Sequence, residues 1–315
     1  MGVWKSRMEG VNRGSLLIIG GTGFIGRKLA QYAVKQGYKT IVLSLNPPLL
    51  EKTIKNVEYL QANIVNIRDL QEKITNSVDY VVNLSGYIDH SRFLDGGNIV
   101  IDAHFGGVQN LLQALDWGRL KRFVQIGSSD EYGGSTAPQH EDLRESPISS
   151  YALGKVASTQ LLQMLAKTEN FPAVIFRLFL VYGPGQDSER FLPQVIKGCL
   201  SGDKFATSLG GQLRDFCYID DVVNGILMSL DNDKVNGEVI NLASGKMVSI
   251  RTMIENVRDS IGKGKPEFGI VPYRVGENME LYADISKAKR LLGWKPVTTL
   301  ENGLKKTIDY YKTHN

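Results

Sequence analysis

The chain has 315 residues, 42% hydrophobic and 22% charged, with a formal net charge of +4, so it is long enough to bury a sizeable core. Its Lys and Arg residues are scattered rather than clustered and no stretch has the length of a membrane span, so neither a nucleic-acid nor a membrane partner is expected. Cys199 and Cys217 lack metal-type spacing and a histidine cluster, so reduced thiols, no bound metal and a cytoplasmic location are expected.

Residues 1–14 are polar and read as a leader outside the fold, although Met1-Gly2 with Ser6 fits the loose myristoylation pattern. The apolar run 16–19 ends in glycines and predicts a buried parallel strand. Helical spacing follows over 24–35, with Gly37 as its stop. Strands are predicted at 40–45, 57–62, 80–84, 122–126 and 173–179. Helices are predicted between them at 67–74, 99–116 and 151–167. This alternation predicts an α/β fold, a doubly wound parallel sheet (Rossmann). Beyond 177 the loops lengthen, with short helices at 192–200, 220–230 and 249–261 and a strand near 238–242 that returns to the main sheet. A dinucleotide-binding domain over 15–176 and a smaller C-terminal substrate-binding lobe, mainly 177–315, are therefore expected.

Gly20-Gly21-Thr22-Gly23-Phe24-Ile25-Gly26 lies between the first strand and the first helix. Glycines let the backbone approach a pyrophosphate, and the helix N-terminus supplies N–H donors. The end of the second strand, Ser44-Leu45-Asn46, carries no carboxylate to hold the 2′-hydroxyl of NAD, and Arg27 stands ready for a 2′-phosphate. NADP(H) is the favoured cofactor, with NAD(H) the alternative.

Tyr151 and Lys155 are four residues apart and share a helix face. A free tyrosine titrates near pH 10, and an adjacent ammonium is expected to bring it toward neutrality. The serines after the fifth strand, Ser128 and Ser129, are placed to hydrogen-bond a reacting oxygen.

With these pieces in order, the chain resembles the extended short-chain dehydrogenase/reductase family of sugar-nucleotide epimerases, dehydratases and reductases. Further matches are Asn83-Leu84-Ser85-Gly86, Arg177 with Val181-Tyr182-Gly183-Pro184-Gly185, Arg214-Asp215-Phe216-Cys217-Tyr218, and Arg274 to Glu277 with Leu292-Gly293-Trp294. The resemblance implies cofactor contacts from Gly20, Thr22, Gly23, Phe24, Ile25, Gly26, Arg27, Ser44, Asn63, Ile64, Leu84, Ser85, Gly86, Tyr151 and Lys155. It implies a nucleotide-diphosphate sugar as substrate, touched by Ser129, Arg214 and Arg274, and a homodimer. Leu180 and His104 depart from the family pattern, which has Asn at both places.

Ser128, Tyr151, Lys155 and Asp130 are the expected catalytic set. Asp130 falls where 4,6-dehydratases carry an acid, and Asp130-Glu131 resembles the acidic pair of dTDP-glucose dehydratases. Gly127-Ser128-Ser129 with Glu131-Tyr132-Gly133 resembles 4-keto-6-deoxysugar reductases. The sequence favours reduction of a nucleotide-4-keto-6-deoxyhexose at C4. The alternatives are a 4,6-dehydratase or C4 epimerase with retained NAD, and, more remotely, a non-catalytic NADP-binding sensor or scaffold.

Overall fold

The structure is a computed structural model that describes residues 12–273 and 277–314. Arg274 and residues 1–11 of the expected leader, with its myristoylation pattern, lie outside the described residues. Arg13 is already tied down, its N–H donating to the Gly37 carbonyl at 3.2 Å.

The first half alternates strand and helix. Its elements are β1 (Ser15–Ile19), α1 (Phe24–Lys35), β2 (Lys39–Ser44), β3 (Val57–Gln61), α2 (Ile67–Lys73) and β4 (Tyr80–Asn83). They continue with α3 (Gly97–Ile101), α4 (Gly107–Ala114), β5 (Arg122–Ser128), α5 (Ser150–Thr168) and β6 (Ala173–Leu178). The second half adds β7 (Leu180–Tyr182), α6 (Phe191–Ser201), β8 (Lys204–Thr207), β9 (Leu213–Tyr218), α7 (Ile219–Ser229) and β10 (Val239–Leu242). It closes with β11 (Met247–Ser249), α8 (Ile250–Ile261), β12 (Lys265–Phe268), β13 (Glu280–Leu281), α9 (Ser286–Leu292) and α10 (Leu300–Thr313).

Seven strands form one parallel sheet in the order β3-β2-β1-β4-β5-β6-β10. Helices cover both faces, so the central strands are apolar on both sides rather than alternating. Leu16 and Ile18 join one buried cluster, Leu17 and Ile19 the other. Each fully buried aliphatic side chain contributes about 1.5–3 kcal/mol, which makes this sheet the rigid part of the molecule. The polar exceptions answer each other: Asn83 and Gln125 are paired across β4 and β5, the Asn83 amide donating at 2.8 Å. The strand order reverses between β1 and β4, which opens a crevice beyond their C-terminal ends.

The helix predicted over 99–116 is interrupted. A π-helical turn, Asp102–Gly106, separates α3 from α4. Such turns insert an extra residue and re-aim a side chain, here His104. The second half builds a small sheet on β9, which pairs with β7, β11 and β13. Two aspartates, Asp215 and Asp221, tie it to its surroundings. Asp215 accepts from the Ser244 and Gly245 N–H groups at 2.6 and 2.8 Å, and Asp221 from those of Val297 and Thr298 at 3.1 and 3.0 Å. The buried Trp294 indole donates to the Asp221 carbonyl at 3.0 Å. Both cysteines are free and buried. Among the described residues no helix is long and apolar enough to cross a membrane.

Candidate active site

A cavity of about 650 Å³ lies over the C-terminal ends of the central strands. Gly20, Gly23, Phe24, Ile25 and Gly26 line one end, Leu84, Ser85 and Gly86 the middle, and Ser128, Ser129, Asp130, Tyr151 and Lys155 the far wall.

The glycine turn has the shape a pyrophosphate requires. Gly20 adopts φ +73°, and a Cβ there would lie 2.9 Å from the Leu84 carbonyl oxygen. A Cβ on Gly26 would lie 2.5 Å from the Gly21 Cα and 2.6 Å from the Gly20 carbonyl oxygen. Gly23 begins α1 with no side-chain cap, and the first turn holds no acidic residue. The helix therefore presents open N–H donors and positive partial charge to the cavity, with no built-in anion to compete. These residues fit a dinucleotide. Gly26→Ala is expected to destabilise the fold by about 1–3 kcal/mol through overpacking against backbone, read by urea unfolding.

On the far wall Ser128 caps the turn after β5, its Oγ accepting from the Asp130 N–H at 3.1 Å. The Ser128 side chain stands beside the Tyr151 hydroxyl and favours its ionised form. Tyr151 is 6% exposed and packs edge-on to His104, ring centroids 5.0 Å apart, and to His90 at 5.8 Å. Lys155 is buried one helical turn on, its ammonium 5.8 Å from the Tyr151 ring centroid and donating to the Ile126 carbonyl at 2.8 Å.

The expected acidification of Tyr151 by Lys155 is not what this geometry produces. The ammonium is turned to a carbonyl, and burial raises the phenol above its ordinary value, against the opposing influence of the Ser128 side chain. The phenol is thus neutral in the free protein. Burial pushes the Lys155 ammonium down to about 8, with Glu131 opposing. The native state releases this proton near pH 8, whereas the ordinary value is 10.5. The unfolded chain therefore binds the extra proton between those values, and stability rises with pH across that window. Urea unfolding of wild type against Lys155→Met is expected to show this rise in the wild type alone.

The two acids of the Asp130-Glu131 pair part company. Asp130 faces the cavity; burial raises its carboxyl, while His90, with Nε2 3.9 Å away, and Arg214 pull it down. Glu131 is fully buried behind the wall, bound to the Ser128 N–H, the Thr159 hydroxyl and the Arg177 guanidinium at 2.8, 2.9 and 3.0 Å. It is not a second acid facing the cavity.

Several expected contacts are spent elsewhere. Arg27 donates one guanidinium N–H to the Gly185 carbonyl at 3.2 Å, and Ser44 accepts from the Thr22 N–H at 3.2 Å. Asn63 turns its side-chain oxygen to the Val65 N–H, and the Ile64 carbonyl accepts from Asn110; neither residue lines the large cavity. Ser129 is buried and does line it. Arg214 is buried and ion-paired with Glu277. The motif arginine Arg274 is outside the described residues.

Sequence reasoning left three residues without a role. His104 reaches the Tyr151 ring through the π turn; its Nε2 lies 3.0 Å from the Tyr87 carbonyl, and burial lowers it to about 3, so it is neutral. Its signal was Gly86, where a Cβ would sit 2.1 Å from the imidazole. His90 and Arg190 line the cavity from loops with no pattern of their own.

Comparison with known proteins agrees with this construction. A model of the NAD dependent epimerase/dehydratase family matches residues 16–243. A UDP-glucuronate 4-epimerase from Thermodesulfobacterium geofontis is 30% identical, over 95% of this chain and 96% of that protein. A dTDP-glucose 4,6-dehydratase from Salmonella typhimurium is 24% identical over 94% and 92%. A UDP-glucuronic acid 4-epimerase from Bacillus cereus, solved with UDP-glucuronic acid and NAD, is 30% identical with a TM-score of 0.86, covering 96% of this chain and all of that one (100%). With the parallel seven-stranded sheet, the glycine turn and the Ser–Tyr–Lys wall, these matches place the chain in the NAD-dependent epimerase/dehydratase family, enzymes of the extended short-chain dehydrogenase/reductase type.

Proposed function

We propose that this enzyme inverts C4 of a nucleotide-diphosphate sugar, a UDP-linked hexose or hexuronate, with a retained NAD. The observation that carries the reading is the cavity wall. Ser128 and Tyr151 stand next to each other on the cavity wall with the Ser128 side chain acting on the phenol, and of the adjacent acids only Asp130 joins them. A 4,6-elimination needs an acid and a base together, and Glu131 is walled off. The string around Glu131 that resembles reductases is explained by scaffolding and does not favour reduction. The full-length similarity to UDP-glucuronate 4-epimerases supports the same reading.

In this reading the cofactor supplies hydride acceptance and return at C4. Gly20, Thr22, Gly23, Phe24, Ile25 and Gly26 hold its pyrophosphate. Arg27, Ser44, Asn63 and Ile64 flank its adenosine, and Leu84, Ser85 and Gly86 its nicotinamide half. The phenol of Tyr151, neutral in the free protein, would first release its proton to solvent; it would then take the proton of the C4 hydroxyl as hydride leaves and give it back when hydride returns, while Ser128 would orient that oxygen and Lys155 would hold the cofactor ribose. Ser129 and Asp130 touch the sugar, and Arg214 and Arg274 hold the diphosphate, guanidinium forks matching phosphate oxygens. We further propose a homodimer through the exposed apolar residues Ile99, Leu153 and Met164 on the packed helices α3 and α5.

One observation favours an NADPH-consuming 4-reductase as the second reading. Arg27 and Lys52 share a smaller cavity of about 230 Å³ with Thr22 and Pro47, and no carboxylate lines it. Mass spectrometry of the ligand released from purified protein separates the two. Bound NAD, with turnover that needs no added cofactor, is the expected result. Released NADP with obligatory NADPH consumption would sink the epimerase reading.

A further inference from the structure

Glu131 is a fully buried carboxylate that the proposed chemistry does not use. Its Oε1 accepts from the Ser128 N–H at 2.8 Å, closing a reciprocal cap on the turn after β5. Its Oε2 accepts from the Thr159 hydroxyl at 2.9 Å and from the Arg177 Nε at 3.0 Å. Thr159 lies one helical turn beyond Lys155 on α5, as Lys155 lies one turn beyond Tyr151. A single carboxylate therefore joins the end of the strand that carries Ser128 to the helix that carries Tyr151 and Lys155. The fit is specific. A Cβ on Gly127 would stand 2.4 Å from the Glu131 Oε1, so the residue before the serine has to be glycine for the carboxylate to return. Lys155 closes the loop from the other side by donating to the Ile126 carbonyl at 2.8 Å.

We propose that Glu131 is a positioning residue: it clamps β5 to α5 so that Ser128 meets Tyr151, and it is the counter-charge of the buried Lys155 ammonium. The inference rests on reading Ser128, Tyr151 and Lys155 as the reacting wall. The charged and titratable groups around Lys155 are few. Tyr151 faces it from α5 and His104, neutral, from the π turn. Glu131 faces it from the turn after β5 and alone favours its charged form. Asp130 on that turn lies toward the cavity, and Arg177 on β6 lies behind Glu131. Arg177 also binds the half-buried Glu145 at 2.6 Å, which holds the guanidinium on the side of Glu131 away from the lysine.

The test is a 13C-lysine NMR titration of the full chain, with the Lys155 signal identified by its loss in Lys155→Met. The wild-type midpoint is expected near 8. In Glu131→Gln it is expected to fall by about one pH unit or more, the shift that follows loss of an opposite charge at short range. Glu131→Asp, which keeps the charge on a shorter arm, is expected to restore the midpoint without restoring turnover of a nucleotide sugar that the wild type converts. Where Glu131→Gln does not fold, Glu131→Gln/Arg177→Met relieves the stranded cation and is expected to lower the midpoint as well, by a smaller amount, because Glu131 is the charge that acts on Lys155 in the native protein. A Lys155 midpoint unchanged in a folded Glu131→Gln or double variant would overturn the counter-charge, and full turnover in Glu131→Asp would overturn the clamp. The titration reads the protein alone, so it stands whether or not the epimerase reading does.

Discussion

Tyr151→Phe is expected to lower turnover by roughly 10²–10⁴-fold, the range associated with removing a positioned proton donor or acceptor. The substitution deletes one oxygen and keeps the ring. The contacts to His104 and His90 therefore survive, and only the polar neighbour of Ser128 is lost. The loss of one polar contact costs no more than about 0.5–1.5 kcal/mol, so the variant folds. Dinucleotide affinity is expected to change little, because the glycine turn lies at the opposite end of the cavity. A rate loss without a binding loss, read by steady-state kinetics beside calorimetry, is the signature of a group used in the reaction. Unchanged turnover would leave the fold as a dinucleotide-binding scaffold.

The second large effect is on stability. Arg177 is fully buried between Glu131 and Glu145 and lies over the Tyr132 ring at 4.5 Å. Arg177→Met leaves the Glu131 carboxylate buried without its cation. Breaking one side of such a pair costs about 3–5 kcal/mol. That is a large share of the roughly 5–15 kcal/mol that holds a domain together. Urea unfolding is expected to show the loss, and added salt to change it little because the pair is not screened. The double variant Glu131→Gln/Arg177→Met is expected to lose clearly less than Arg177→Met, since the fully buried carboxylate is no longer stranded and the Glu145 carboxylate keeps access to water. Additive losses in the two would contradict the pairing.

The parts of this molecule legible in the sequence are those set by near neighbours. The run Leu16 to Ile19, the glycines after it and the spacing of α1 are local patterns with local causes. The alternation of strands and helices carried the parallel sheet for the same reason. What stayed dark depends on partners far along the chain. Glu131 resembled a catalytic acid because its fate is decided by Thr159 and Arg177, 28 and 46 residues away. The Gly185 carbonyl that holds the Arg27 guanidinium in place lies 158 residues on. The π turn that aims His104 has no sequence period of its own. Tyr151 and Lys155 stand on one helix face, as their spacing required. The direction of the ammonium was set instead by the Ile126 carbonyl on a neighbouring strand. Reduction at C4 rests on a string whose glutamate belongs to the scaffold, and the relatives support the epimerase alternative instead.

The most direct measurement is proton NMR of a panel of nucleotide-diphosphate sugars incubated with the purified protein and no added cofactor. The account expects one of them to relax to a stable mixture of two C4 epimers, with the mixture absent in Tyr151→Phe. A panel that stays unchanged until NADPH is supplied, and then yields a reduced sugar in step with NADPH oxidation, would contradict it.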